Sequence, residues 1–222
     1  MLINELIDFN LPFLKATDTV ESALEIMDDF RLDQIAYSNG LEYNGVFDRD
    51  ILENVPNQNQ LLENLQPNFQ NHFLKESQHI FEAINLIQSN DIQTIAVINE
   101  SFEFKGSVKA TDVLLKFSQL LGLQEIGAII TLKLNKLDYS LAEIARLAEA
   151  DNVKIIGSFY NTIYIENETV NTLTLKINTQ EISKLVATFE RHGYVIENVF
   201  ANNPLESIDK QNYDMLMKYL EI

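Results

Sequence analysis

Residues 13–39, FLKATDTVESALEIMDDFRLDQIAYSN, return at 73–99 as FLKESQHIFEAINLIQSNDIQTIAVIN, aligned without a gap. Phe13-Leu14-Lys15 meets Phe73-Leu74-Lys75, Val20 meets Ile80, Ala23 meets Ala83, and Ile35-Ala36 meets Ile95-Ala96. After one inserted residue, Gly45 meets Gly106. An ungapped match with identities at both ends argues for duplication rather than chance. Each copy, at about sixty residues, is too short to build a good core alone, so the pattern predicts a pseudo-symmetric pair packed face to face.

Both copies read alike. A short helix (Asn4 to Asp8; Leu61 to Leu65) leads through Pro12 or Pro67 into a short extended piece. An amphipathic helix follows, with Val20, Ala23, Leu24, Ile26 and Met27 at helical spacing, and Ile80, Ala83, Ile84 and Ile87 in the second copy. Thr17 or Asp18, and Ser77, are the expected N-caps. Two short strands come next (Gln34 to Ser38 and Glu42 to Phe47; Thr94 to Asn99 and Phe102 to Val108). A closing helix ends each unit (Arg49 to Glu53; Thr111 to Leu121), giving repeats at 1–56 and 57–122.

After Gly122 the pattern changes. Ala128 to Leu134 reads as a strand, Ser140 to Ala150 as a helix, and Val153 to Tyr160 as a strand. Asn161 to Glu168 is a strand or hairpin turn and Thr172 to Ile177 a strand. Glu181 to His192 is a helix capped by Thr179 and stopped by Gly193, and Val195 to Phe200 closes. The order β-α-β-β-α-β over 126–201 predicts a ferredoxin-like domain, so the fold class is mixed α/β (α+β). Pro204 then precedes an amphipathic helix, Asp209 to Leu220, within 205–222.

Composition limits the chemistry. With 33 acidic against 16 basic residues, the net charge of −17 repels nucleic acid and anionic lipid. No run of 18 or more apolar residues offers a membrane span, and Met1-Leu2-Ile3-Asn4-Glu5 lacks the basic flank of a signal peptide. The absence of cysteine removes disulfides and thiol catalysis and fits a cytoplasmic protein. His72, His79 and His192 do not form a ligand spacing, so no metal is expected. Seven glycines make no Walker or Rossmann loop, and Gly157-Ser158-Phe159 lacks the second glycine of a nucleophile elbow. Asp28-Asp29 and Glu166/Glu168 read as solvated carboxylates, and Tyr160 and Tyr164 as sheet-face residues flanking a β-turn. No residue constellation supports an enzyme.

The close Gly106-Ser107-Val108-Lys109-Ala110-Thr111-Asp112, with Ile95-Ala96-Val97 before it and the weaker Gly45-Val46-Phe47-Asp48-Arg49-Asp50, resembles the CBS domain, which occurs as tandem (Bateman) pairs. Residues 127–201 resemble an ACT domain through their element order and the Leu141-Ala142-Glu143-Ile144 that opens the first helix. The combination is similar to the acetoin utilisation regulatory-protein type. The resemblance implies adenine nucleotides or related adenosine ligands bound between the two repeats, with no required cofactor. It implies that Asp112 accepts both ribose hydroxyls and that Gly106, Ser107, Lys109, Thr111, Ile95 and Ala96 form the cleft around it. Lys109 stands where the family has a hydroxyl residue and would meet phosphate as a point charge. Asp50 marks a weaker second cleft, because the first copy is one residue short before it and Asp48 would repel an anion. In the ACT-like part, Tyr139 fills the expected glycine place, which argues for association, as a homodimer, rather than amino acid binding. Two readings result: a non-enzymatic adenosine sensor, and a ligand-free dimerisation scaffold with vestigial clefts.

Overall fold

A computed structural model describes residues 1–90, 92–134, 139–165 and 168–201. The chain forms two compact units, Met1–Phe117 and Ser118–Ile222.

In the first unit, one copy contributes α1 (Val20–Phe30), β1 (Gln34–Ser38), β2 (Tyr43–Asp48) and α2 (Arg49–Glu53). The other contributes β3 (Phe73–Lys75), α3 (Ile80–Asn90), β4 (Thr94–Ile98), β5 (Phe104–Lys109) and α4 (Ala110–Leu120). β1 pairs antiparallel with β2, while β4 lies between parallel β3 and antiparallel β5. A parallel bridge from Leu14 to Tyr37 takes the place in the first copy that Leu74 opposite Val97 takes in the second. The α1 cap is Thr19, not Thr17 or Asp18: its hydroxyl accepts from the Ser22 N–H at 3.1 Å. Asp18 instead accepts from the Lys15 N–H, and Ser77 donates to Glu100 rather than capping α3.

Each copy's leading segment crosses into the other copy's core. It is a 3-10 turn, Ile3–Leu6 or Leu62–Asn64, shorter than the predicted helix. Ile3 and Leu6 are buried among Leu74, Ile80, Ala83, Ile95 and Val108. Leu62 is buried among Leu14, Val20, Met27, Ile35 and Phe47. Antiparallel bridges hold the crossings: Leu2 to His79 and Thr19 to Leu61, Asp8 to Ser107 and Val46 to Asn68. Neither copy closes its apolar face without this exchange, so the two fold as one body.

Equivalent residues also meet along the pseudo-twofold axis. At one end Gln34 Oε1 accepts from the Gln93 N–H at 2.7 Å, and the Thr94 hydroxyl donates to the Gln34 carbonyl at 2.8 Å. At the other end Glu42 bridges to Glu103, and Tyr43 stacks on Phe104 with ring centroids 6.5 Å apart. Phe13 on Phe104 and Tyr43 on Phe73 repeat one edge contact on both sides.

The second unit runs β6 (Ile129–Leu134), α5 (Leu141–Ala150), β7 (Ile155–Ile165), β8 (Glu168–Ile177), α6 (Ser183–Arg191) and β9 (Val195–Phe200). Its antiparallel sheet has the order β7-β8-β6-β9, the ferredoxin-like arrangement. Alternate residues of β6 and β8 (Ile130, Leu132, Leu173, Leu175, Ile177) pack on Ile144, Leu147, Leu185 and Phe189 of the helices. Ser140 caps α5 by accepting from the Glu143 N–H, whereas α6 begins at Ser183 without a side-chain cap and Thr179 accepts from the Glu181 N–H. The turn expected between Tyr160 and Tyr164 is absent. β7 runs through both, opposite Leu173 and Thr169, because β8 is long enough to pair with all of it. The helix predicted at Asp209 to Leu220 lies outside the described residues, as does Glu166. No helix among the described residues is long and apolar enough to cross a membrane.

Candidate functional site

β5 runs into α4 without a connecting loop. Lys109 ends the strand opposite Thr94, and the Ala110 N–H donates to the Gln93 carbonyl at 2.8 Å. Thr111 and Asp112 therefore fall in the first helical turn, where backbone N–H groups lack intrahelical acceptors and an anion is favoured. Lys109 and Asp112 are half-buried and Thr111 exposed. None of the three side chains makes a hydrogen bond or ion pair among the described residues.

Ser107, two residues before Lys109, is 2 % exposed and its hydroxyl has no partner among the described residues. It pairs with Ala96, and both are buried outside the two apolar clusters, on the strand face turned away from the second copy's core. Ile95 points the other way, into that core, so its side chain is not available to a ligand. Gly106 holds φ at +145° beside Ile7 of the crossing segment.

The first copy builds the same place from different chemistry. Gln34 lies opposite Asp48 as Thr94 lies opposite Lys109, so Asp50 occupies the place of Thr111 and Ile51 that of Asp112. Asp50 is exposed, one position short of the ribose-facing place. A cavity of about 520 Å³ is lined here by Asp33, Gln34, Asp48, Arg49, Asp50 and Phe69 among others. Its cation is already committed: Arg49 is 2.8 Å from Asp28, 3.4 Å from Asp33 and 3.7 Å from Glu53. The Asp28 hydrogen bond is the main cause of a guanidinium pKa raised above its usual value. With Arg49 neutralised, Asp48 and Asp50 leave the cavity unfavourable to phosphate.

Two features of this region were not apparent from the motif. Phe69 lines the first cavity, and sixty positions earlier Phe9 is 82 % exposed at the repeat-related place next to the Asp8–Ser107 bridge. The Gln34–Thr94 contact joins the two copies between the sites. The repeat spacing of Phe9 and Phe69 was the available signal for the first; nothing local announced the second.

No family model matches the chain, and no curated protein does. Solved structures do. A CBS domain pair/ACT domain protein from Thermotoga maritima shares 19 % identity, covering 54 % of this chain and 98 % of that one, with a TM-score of 0.50. With the repeated units and their pairing above, this decides the fold of the first half. It is a CBS pair. The CBS domains of a transcriptional regulator from Streptococcus pneumoniae give 18 % identity over 52 % of this chain and 98 % of that one, TM-score 0.46. CBSX2, solved in complex with AMP, gives 13 % identity over 53 % and 96 %, TM-score 0.45.

Proposed function

We propose that this chain is a non-enzymatic regulatory protein whose CBS pair binds one adenosine-containing ligand beside Lys109, Thr111 and Asp112, and whose ferredoxin-like unit is an ACT-like association domain. The observation that carries the reading is the set of polar groups left without partners at the start of α4, with the buried Ser107 hydroxyl behind them. A carboxylate in the Asp112 place can accept both hydroxyls of a ribose. Lys109 and the free N–H groups of the first turn suit a phosphate. The exposed face of Phe9 suits a purine. Such a ligand would favour one arrangement of the two copies and bias any output by its difference in affinity between states.

The association role rests on Tyr139, which stands at the family's glycine place and whose ring lies 5.0 Å from that of Tyr160. Calorimetric titration with AMP, ADP and ATP tests the ligand. The reading expects one site per chain, lost in Asp112→Ala and retained in Asp50→Ala. The scaffold reading is favoured by Arg49 and Ile51, which leave the first site without a free cation or a ribose acceptor. Heatless titrations with all three nucleotides, from a chain that remains associated, would select it.

A further inference from the structure

At the end of the pseudo-twofold axis away from Gln34 and Thr94, a cavity of about 420 Å³ opens among Tyr43, Phe73, Phe102, Ile98, Glu42 and Glu103. Three of its walls are aromatic and meet nearly at right angles. The Phe73 and Phe102 rings are 6.0 Å apart at 86°, and Tyr43 and Phe73 are 6.1 Å apart at 78°. In each pair the edge of one ring meets the face of the other, and the faces left open are negative surfaces that suit a cation too bulky to be strongly hydrated. The Tyr43 hydroxyl is tied away to the Phe69 carbonyl at 2.8 Å, and burial pushes its phenol pKa up, so the ring stays neutral and fixed.

Two further observations give the charge. Glu103 is held by Lys105 and Asn99, but the Glu42 carboxylate makes no hydrogen bond or ion pair among the described residues. Phe102 already attracts a cation of this chain, since Lys75 Nζ stands 5.7 Å from its centroid. Phe102 is 57 % exposed and holds φ at +64°, whereas the first hairpin places Gly40 in its left-handed position. A bulky side chain kept exposed in a conformation that disfavours it is more readily explained by use than by folding.

The geometry points to a second ligand site in this cavity, an aromatic cage for a small methylated ammonium ion of the choline type. The site is separate from the adenosine reading and shares no residue with it. Titration of the intact chain with tetramethylammonium and choline, against the neutral isostere 3,3-dimethylbutan-1-ol at matched chloride, tests it by saturation-transfer NMR. The cations should bind in the millimolar range or tighter, and the isostere about fivefold or more weaker. Phe102→Leu, which keeps an apolar wall but removes the π face, should weaken cation binding about fivefold, and Glu42→Gln should weaken it with no change in fold. Equal affinity for the isostere, unchanged affinity in both variants, or no binding at about 50 mM would each overturn the proposal.

Discussion

A methyl group added at Gly45 would sit 2.6 Å from the Asn68 carbonyl oxygen and 2.8 Å from Pro67, and one at Gly106 would sit 2.7 Å from Ile7 Cγ2. Both glycines of the CBS-like motif thus make room for the crossing segments, at φ +138° and +145°. Gly45→Ala must displace backbone and should cost about 2–4 kcal/mol, whereas Gly106→Ala meets a side-chain tip and should cost about 1–2 kcal/mol; urea midpoints measure both. In the second unit, the Thr188 hydroxyl at 2.7 Å, followed by Lys184 at 3.0 Å, holds the Asp151 carboxyl below its ordinary range. A folded pKa below the unfolded value of about 3.9 contributes stability that is complete well above that value and lost as pH falls through the folded one. The stability advantage of the wild type over Asp151→Asn should therefore be constant above about pH 5 and shrink towards pH 3, as thermal unfolding across that range would record. The place of Asp112 in a first helical turn and the one-residue deficit before Asp50 were legible in the sequence, because a motif and a gap are local. The commitment of Arg49 to Asp28 and Asp33 was not, because the end of α1 reaches it only through the fold.

The elements were largely legible for the same reason. Periods of two and of 3.6 residues are set by neighbours along the chain, and β1, α2 and β9 fall where the pattern puts them. The crossing of the leading segments was not legible. Exchanging two equivalent segments leaves every apolar position apolar, so the sequence is the same whether Leu62 serves its own copy or the other. The exchange predicts a distinctive mutational pattern. Ile3→Ala and Leu62→Ala, both at fully buried positions, should each cost about 2–5 kcal/mol. Hydrogen exchange should show Ile3→Ala loosening α3 and β4 first, and Leu62→Ala loosening α1 and β1 first. The same loosening in both variants would contradict the crossed packing. Tyr160 and Tyr164 do lie on the sheet, but the turn between them was misread locally, since Asn161-Thr162 resembles a turn until β8 supplies the partner strand.

For the whole molecule, the −17 charge and the two pseudo-symmetric sites bear on one claim, that a single cleft binds an adenosine ligand. A strongly acidic surface makes a multiply charged nucleotide dependent on local cations, and among the described residues Lys109 has no ion-pair partner whereas Arg49 does. Association is tested independently: light scattering at tens of micromolar should show a dimer, and a strict monomer would contradict the role proposed for the ferredoxin-like unit. The most direct test of the central claim is thermal unfolding with AMP, ADP, ATP and S-adenosylmethionine, in the wild type and in Asp112→Ala. Ligand at a hundred times its dissociation constant stabilises a fold by about 2.7 kcal/mol, a rise of roughly 5 to 10 °C for a chain of this length. The account predicts that rise with at least one adenosine ligand and its disappearance in Asp112→Ala. No shift with any of them, or a shift that survives the substitution, would contradict it.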